Sequence, residues 1–237
     1  MRVVIVGAAS RIAGRIAVAV APGNDLVLVD RDSVHLPDLI EECLAAGATS
    51  AQVIRADLRE EAPATVGPLT EKQIDVLINA ASATARLGDA QCTPEDFRDG
   101  LRVDAMSPLS LISTICDRQR GSQLTVVYLT TILASIGTPG RAVYGCLKYL
   151  QELGLKILAA RHHNLRVLTV RIGTRFPRDR NTPAMDRLAR RIVSALQSDD
   201  VVLNFGFSGR LLRLLYSIHP GLGTCAVLTQ RLLRRSA

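Results

Sequence analysis

Short apolar runs alternate with stretches of helical periodicity along almost the whole chain. Seven runs of four to seven residues are rich in Val, Leu and Ile, as in buried strands. They lie at residues 3–6, 25–30, 52–57, 74–79, 123–129, 165–171 and 201–205. The helical patterns between them run from the turn after residue 6 to about residue 21, and then over 35–46, 94–117, 142–161 and 183–197.

This alternation predicts βαβ units and therefore a parallel sheet. The fold class that we expect is α/β, a Rossmann-type doubly wound parallel sheet of about seven strands with helices on both faces. No linker, repeat or low-complexity stretch interrupts the pattern, so residues 1–237 are interpreted as a single domain. Right-handed crossovers and a reversal in strand order would place a ligand cleft at the carboxyl ends of the strands.

Composition narrows the class of function. Apolar residues make up 48% of the chain, aromatic residues only 3%, and there is no Trp, which argues against a surface that stacks nucleic-acid bases. The net charge of +7 is unevenly distributed, because residues 201–237 contain five arginines and no acidic residue. The remainder is close to neutral, so we expect no nucleic-acid partner, and residues 208–237 form an apolar and basic C-terminal tail.

Cysteine and histidine usage gives no sign of disulfides or metal. The five cysteines are widely spaced and form no Cys-x-x-Cys pair, which predicts reduced, mostly buried thiols in a cytoplasmic protein. The four histidines lack metal-ligand spacing, and His162 and His163 suit a helix C-terminus. No apolar run approaches the roughly 18 residues of a membrane span.

The first strand leads into a turn suited to a dinucleotide. Gly7 can form a tight turn, the next three residues are small, and a helix follows whose N-terminus favours a pyrophosphate. Asp30 ends the second strand, where a carboxylate can accept both ribose hydroxyls of adenosine and would repel a 2′-phosphate. A plain strand, turn and helix with a surface aspartate would give the same pattern.

A second group of residues suits proton transfer. Tyr144 and Lys148 are four residues apart on one helical face, and Thr131 follows the fifth apolar run. A nearby ammonium favours the phenolate, which would let a tyrosine exchange a proton with a substrate oxygen. A half-buried tyrosine beside a lysine that extends towards solvent would explain the pair without any chemistry.

Taken together, these residues resemble the short-chain dehydrogenase/reductase family from residue 3 to about residue 173. On this resemblance Thr131, Tyr144 and Lys148 fall on the catalytic Ser, Tyr and Lys, and Asp104 falls on the proton-relay Asn. Pro139 fits the run between the Ser and Tyr positions. The resemblance also implies a set of cofactor-binding residues. They are Gly7, Ser10, Arg11, Ile12, Asp30, Arg31, Asp57, Leu58, Asn79, Ala80, Tyr144, Lys148, Ile172 and Gly173.

Four of these positions depart from the family pattern. Arg11 replaces a turn glycine and can either crowd the pyrophosphate or bind it. Ala80 replaces an Asn, and Ile172 replaces a Pro. Asp104 places a carboxylate where the family has an amide, and this charge must be solvated or paired.

The function implied is an NAD(P)-dependent oxidoreductase that interconverts a secondary alcohol and a ketone, without a metal. Asp30 favours NAD, and with NAD the oxidative direction, while Arg31 leaves NADP open. The family suggests a homodimer or homotetramer. The competing interpretation is a dinucleotide-binding or sensor protein that is catalytically weak or inactive.

Two segments leave further alternatives open. Residues 174–183 contain three arginines that suit a carboxylate or phosphate, or a solvated loop. The tail can close the pocket, pack against another subunit or lie on an anionic membrane surface.

Overall fold

Seven parallel strands form one sheet in the computed structural model, which describes residues 1–32, 34–60, 69–84, 88–134, 140–173 and 182–206. Their order across the sheet is β3-β2-β1-β4-β5-β6-β7. The strands are β1 Arg2–Val6, β2 Asp25–Asp30, β3 Ser50–Arg55, β4 Val76–Asn79, β5 Leu124–Thr131, β6 Leu165–Ile172 and β7 Val202–Phe205. The predicted seven-stranded parallel sheet is confirmed.

Six α-helices connect the strands within the described residues. They are α1 Arg11–Val20, α2 Leu36–Ala45, α3 Pro94–Leu101, α4 Ser107–Arg118, α5 Ala142–Arg161 and α6 Pro183–Leu196. Thr93 caps α3, and Asp96 completes a capping box with it. A 3-10 turn at Asp89–Gln91 precedes α3, and another at Ile132–Ala134 follows β5.

The helix predicted over 94–117 is present, but it is not α-helical throughout. Between α3 and α4 the backbone forms a π-helical turn at Arg102–Met106, with the Ser107 amide donating to the carbonyl of Arg102. Pro108 explains the change, because it has no N–H to donate to the carbonyl of Asp104, four residues before it. The π turn lets the helix continue past the proline.

Alternate strand residues bury against helices on opposite faces of the sheet. Val3 and Ile5 pack in one core with α1, α2 and α6, whereas Val4 and Val6 pack in the other with α4 and α5. Both cores are apolar, and full burial of each Val, Leu or Ile contributes roughly 1.5–3 kcal/mol. The doubly wound arrangement is therefore confirmed.

The chain reverses direction across the sheet at β1. From β1 it proceeds outward to β2 and β3, and then returns to β4 on the opposite side of β1. Such a reversal leaves a crevice at the carboxyl ends of β1 and β4, between the crossover connections. The cleft predicted from the sequence lies here.

Several predicted features lie outside the described residues. These are Pro139, most of the arginine-containing segment at 174–183, and the whole tail from 208 to 237. Across the part of the chain that the structure describes, no helix has both the length and the apolar character needed to cross a membrane.

Candidate active site

Gly7 shapes the turn between β1 and α1. Its φ of +79° is one that residues with a side chain rarely adopt. A Cβ atom at Gly7 would lie only 2.6 Å from the amide nitrogen of Ala81 and 2.8 Å from its Cα. The turn therefore depends on glycine both for its backbone angle and for its close approach to the segment that follows β4.

The rest of the turn is held by hydrogen bonds. The amides of Gly7 and Ala8 both donate to the carbonyl of Val29, at 2.8 and 3.2 Å. The Ser10 hydroxyl caps α1 by accepting from the amide of Ala13, at 3.3 Å. With this cap the helix begins at Arg11 and directs its positive dipole end towards the cleft.

Asp30, at the end of β2, connects this turn to the adjacent strand. Its Oδ2 accepts from the amide of Ala9 at 2.9 Å, and its Oδ1 accepts from the amide of Asp32 at 3.1 Å. Each carboxylate oxygen retains a lone pair for a further donor. The side chain is thus fixed at the cleft and can still accept from a ribose hydroxyl.

A cleft of about 420 Å³ opens at the carboxyl ends of β1, β2 and β4. Seven of the predicted cofactor residues line it. They are Gly7, Ser10, Asp30, Arg31, Asp57, Leu58 and Ala80. The carboxylates of Asp30, Asp32 and Asp57 share this surface with the guanidinium groups of Arg31 and Arg59.

Arg59 is a cleft residue that sequence reasoning missed. Its Nε lies 2.6 Å from the carboxylate of Asp99 on α3, and its guanidinium lies 3.7 Å from Asp57. This arrangement ties α3 to the loop after β3. No sequence signal predicts it, because Asp99 lies forty residues along the chain on a helix whose position depends on the fold.

Arg11 and Ile12 occupy the first turn of α1 rather than the cleft itself. Arg11 lines a separate cavity of about 90 Å³ with His35 and Glu42, on the side of the turn that faces α2. Whether Arg11 crowds or binds a pyrophosphate stays a prediction.

The residues suited to proton transfer are on β5 and on α5, and β5 is the strand next to β4 in the sheet. Thr131 is the last residue of β5 and is 8% exposed. Tyr144 is half-buried in the first turn of α5, and Lys148 follows one turn later with 2% exposure. Thr131 pairs in register with Ile172 at the end of β6, which places Ile172 and Gly173 beside it.

A distant carboxylate caps the helix that carries Tyr144. Arg141 occupies the N-cap position but provides no side-chain hydrogen bond to the helix. Asp89 does so instead, since its two oxygens accept from the amides of Ala142 and Val143 at 2.8 and 3.2 Å. Arg141 lies over the Tyr144 ring, with its Cζ 4.8 Å from the centroid.

Lys148 is paired with Asp104 in the interior. The Nζ atom lies 3.9 Å from Oδ1 of Asp104 and donates to the carbonyl of Ala81 at 3.3 Å. The Asp104 carboxylate is fully buried and accepts from the amides of Ala83 and Thr84, at 3.1 and 3.2 Å, and from the Thr84 hydroxyl. The predicted need to pair or solvate this charge is therefore met.

The site residues respond electrostatically to this burial. Burial and, to a smaller extent, the negative charge of Asp104 raise the pKa of Tyr144 to about 12, while the positive charge of Arg141 opposes them. Burial lowers the pKa of Lys148 below its ordinary value, whereas the Asp104 carboxylate acts in the opposite direction. Asp104 therefore acts on both groups, since its charge raises the pKa of Tyr144 and opposes the lowering of the pKa of Lys148.

Tyr128 is a second residue that sequence reasoning missed. It lies in the apolar run of β5, which predicted only a core position, and it is fully buried. Its hydroxyl donates to the backbone carbonyl of Lys148 at 2.8 Å, and its ring centroid lies 5.5 Å from the Lys148 ammonium. Tyr128 therefore contacts both the backbone and the side chain of Lys148.

The residues after β4 fit a bound dinucleotide. Asn79, the last residue of β4, is 1% exposed; its Oδ1 accepts from the amide of Ala81 at 3.3 Å, while its Nδ2 has no hydrogen-bond partner among the residues that the structure describes. The Ser82 hydroxyl lines the cleft and, within the described residues, is buried without a hydrogen-bond partner. Unsatisfied polar groups of this kind are costly unless a ligand or water meets them. Together with the Gly7 cradle, they match the polar groups of a dinucleotide.

Four of the five cysteines lie within the described residues, and two of these four are buried. Of the four described cysteines, all free, Cys43 and Cys116 are buried, Cys92 is half-buried and Cys146 is exposed. Burial raises the pKa of both Cys43 and Cys116 to about 11. The described ranges contain no group of three or more His, Cys, Asp or Glu residues that could hold a metal ion.

Comparison with known proteins identifies a family whose sequence pattern this chain matches. The sequence model of the family described as short chain dehydrogenase matches residues 1–174. No curated protein is similar enough in sequence to match the chain.

Solved structures share the fold. A bulky-bulky ketone specific alcohol dehydrogenase from Comamonas testosteroni matches with a TM-score of 0.77 at 19% identity, covering 91% of each chain. A short-chain dehydrogenase from Sphingobium yanoikuyae in complex with NADPH gives 0.75 at 22% identity, covering 86% of this chain and 87% of that one. An NADH-dependent reductase complexed with NAD gives 0.72 at 21% identity, covering 86% and 94%. At these identities the likeness shows the fold alone.

Proposed function

The chain belongs to the short-chain dehydrogenase family of oxidoreductases, and we propose that it interconverts a secondary alcohol and a ketone with a nicotinamide dinucleotide. The observation that carries the proposal is the contact between Lys148, which follows Tyr144 by one turn of α5, and the segment after β4 that lines the cleft. Lys148 donates to Ala81, a cleft-lining residue, and so joins the proton-transfer residues to the dinucleotide side.

Each residue has a definite role in this proposal. Tyr144 exchanges a proton with the substrate oxygen, acting as general acid in one direction and general base in the other. The Thr131 hydroxyl hydrogen-bonds the same oxygen and orients it. Lys148 places a positive charge below the site, while Asp104 holds Lys148 and the segment at 81–84 together.

The cofactor would lie across the carboxyl ends of β1, β2 and β4. Gly7 and the N-terminus of α1 would hold the pyrophosphate, and Asp57 and Leu58 would flank the adenine. Asp30 would accept from the ribose, which favours NAD over NADP. When bound, the nicotinamide exchanges a hydride with the substrate carbon. One of the structures with the same fold carries NAD and another carries NADPH, so both cofactors enter the test.

A test of the function begins with calorimetry using NAD and NADP, followed by a nicotinamide absorbance screen over secondary alcohols and ketones. Tyr144→Phe should lower turnover by roughly 10²–10⁴-fold while dinucleotide binding persists. Tyr149→Phe is the matched control, since Tyr149 is on the same helix and 53% exposed. Undiminished turnover in Tyr144→Phe would remove Tyr144 from the mechanism.

The alternative function is that of a dinucleotide-binding or sensor protein that does not turn over a substrate. The observation that favours it is the buried carboxylate of Asp104 in place of the family's Asn, close to the groups that would transfer the proton. Binding of a dinucleotide without turnover on any carbonyl or alcohol would support this alternative.

We also infer a homodimer or homotetramer. Four large apolar residues on α5 are exposed, namely Tyr149, Leu150, Leu153 and Ile157. An apolar stripe of this kind suits a subunit interface. Leu153→Glu should shift the chain to a monomer in size-exclusion chromatography with light scattering, whereas Val34→Glu, at an exposed position on another part of the surface, should not.

A further inference from the structure

We propose that Tyr128 is a positioning residue for Lys148, because its ring lies under the Lys148 ammonium while its hydroxyl bonds the backbone of the same lysine. Tyr128 acts on the reaction only through Lys148. This functional part of the inference rests on the proposed function, in which Lys148 places a positive charge at the site. The contact between the two residues is tested separately from it.

Lys148 differs from the other lysines of the chain. There are three lysines, of which Lys72 and Lys156 are exposed, whereas Lys148 is 2% exposed. Its ammonium donates to the carbonyl of Ala81 at 3.3 Å and lies 3.9 Å from Asp104, which is too far for a hydrogen bond. An ammonium has three donors and is costly to bury, so one hydrogen bond and one longer ion pair stabilise it only in part.

The ring of Tyr128 provides further stabilisation. The Lys148 Nζ lies over this ring, 5.5 Å from its centroid, within the range of a cation–π contact. Such contacts are stronger where water is excluded, and both residues are buried. The ring face attracts the positive charge without occupying the ammonium as a carbonyl would, so Lys148 can still donate to a ligand.

The hydroxyl of Tyr128 fixes the other end of the lysine. It donates to the backbone carbonyl of Lys148 at 2.8 Å. In an α-helix that carbonyl also accepts from the amide four residues later, and its two lone pairs allow both bonds. Burial raises the pKa of Tyr128 above its ordinary value, so the hydroxyl stays protonated and able to donate. Tyr128 therefore restrains Lys148 both at its backbone and at its ammonium.

The register of the sheet explains why these contacts meet. Tyr128 on β5 pairs with Asn79 on β4, and Ala81 follows Asn79 by two residues. The two neighbouring strands thus bring a ring and a carbonyl to the same ammonium. A leucine at position 128 could fill the core but would provide neither contact, whereas a phenylalanine would provide the ring alone.

The first test needs neither substrate nor cofactor. With ¹³C-labelled lysine the chain gives three sets of ε-CH₂ signals in NMR spectra, and loss of one set in Lys148→Arg assigns Lys148. Protons over an aromatic face are shielded, so in Tyr128→Leu the Lys148 signal should move downfield, towards those of Lys72 and Lys156. In Tyr128→Phe it should stay close to its position in the unsubstituted chain. A Lys148 signal that does not move in Tyr128→Leu would overturn the inference.

Val126→Ala is the matched control. Val126 is fully buried in the same core and lies two residues further from the carboxyl end of β5, so the substitution weakens the core and keeps the ring. The Lys148 signal should stay in place, and an equal movement in Val126→Ala and Tyr128→Leu would reject the inference in favour of general loosening.

A measurement on the unsubstituted chain decides if Tyr128→Leu does not fold. The ε-CH₂ protons of Lys148 should show a nuclear Overhauser effect to the ring protons of Tyr128. Its presence supports the contact, and its absence overturns the inference.

The second test measures dinucleotide binding by calorimetry and turnover with the substrate found in the screen. In Tyr128→Leu the dinucleotide Kd should rise about threefold or more and turnover should fall, because the ammonium is no longer held. Tyr128→Phe keeps the ring, so both quantities should stay within about twofold of the unsubstituted chain.

The outcomes separate this inference from the proposed function. Unchanged Kd and turnover in Tyr128→Leu would overturn the role of Tyr128 in the site and leave the oxidoreductase intact. Dinucleotide binding that weakens in Tyr128→Leu, in a chain that turns over no alcohol or ketone, would reject the proposed function and retain Tyr128 as the residue that positions Lys148.

Discussion

The two halves of the site are built in different ways. On the cofactor side the backbone sets the shape, through the positive φ of Gly7, the capped start of α1 and the bonds of two amides to one carbonyl. On the proton-transfer side, charged and polar side chains determine the chemistry, above all Lys148, Asp104 and Tyr144. The cofactor side is therefore sensitive to changes of backbone shape, and the proton-transfer side to changes of charge.

Removing one charge of the buried pair should have the largest effect. Lys148→Met leaves the Asp104 carboxylate without its cation, and we expect the free energy of unfolding to fall by about 3–5 kcal/mol. Lys148→Met combined with Asp104→Asn should recover part of this loss, because neither charge then remains unpaired. Urea unfolding of the three chains measures both values, and a double variant as unstable as the sum of the single variants would show that the pair is not coupled.

On the cofactor side, glycine substitutions should act with opposite signs. Gly7→Ala forces a side chain into a positive φ and against the backbone at Ala81, so stability should fall by about 2–3 kcal/mol and dinucleotide binding should be lost. Gly14 lies inside α1, where a new Cβ would meet Leu39 of α2 at an ordinary contact distance of 3.7 Å. In Gly14→Ala the free energy of unfolding should therefore rise by up to about 1 kcal/mol, because alanine favours the helix more than glycine does. Thermal unfolding and calorimetry separate these outcomes, and equal effects at the two positions would refute the account of the turn.

The smallest of these effects should come from Ser82→Ala. The buried hydroxyl has no partner within the described residues, so its removal should leave the ligand-free chain as stable or slightly more stable. If the hydroxyl bonds the dinucleotide, Kd should rise about fivefold. Ser122→Ala, whose hydroxyl bonds Gln73 elsewhere on the molecule, serves as the control. An unchanged Kd for Ser82→Ala would exclude this hydrogen bond.

Sequence periodicity predicted much of the fold because buried strands and amphipathic helices have distinct patterns. The second strand, 25–30, and the helix at 142–161 agree with the observed bounds. The third strand was predicted at 52–57 but lies at Ser50–Arg55, because it is an edge strand whose polar residues weaken the apolar pattern. The interpretation of residues 1–237 as a single domain stays a prediction.

The environment of the site could not be predicted to the same extent. The spacing of Tyr144 and Lys148 identifies a helical face, but the Lys148 ammonium pairs with Asp104 and donates to Ala81, which lie 44 and 67 positions earlier. The π turn at Asp104 shifts the hydrogen-bond pattern by one residue and leaves the apolar pattern almost unchanged. Its local signal is Pro108, which on its own predicts a break rather than a particular turn.

The cap that Asp89 provides for α5 affects the fraction of molecules in which Tyr144 is correctly positioned. Tyr144 is the third residue of α5, so any molecule in which the first turn frays has its phenol out of position. A cap of this kind contributes about 1 kcal/mol, which corresponds to roughly a fivefold change in the ratio of formed to frayed turns. A carboxylate 55 residues before the tyrosine therefore helps to decide what fraction of the protein presents its phenol at any moment.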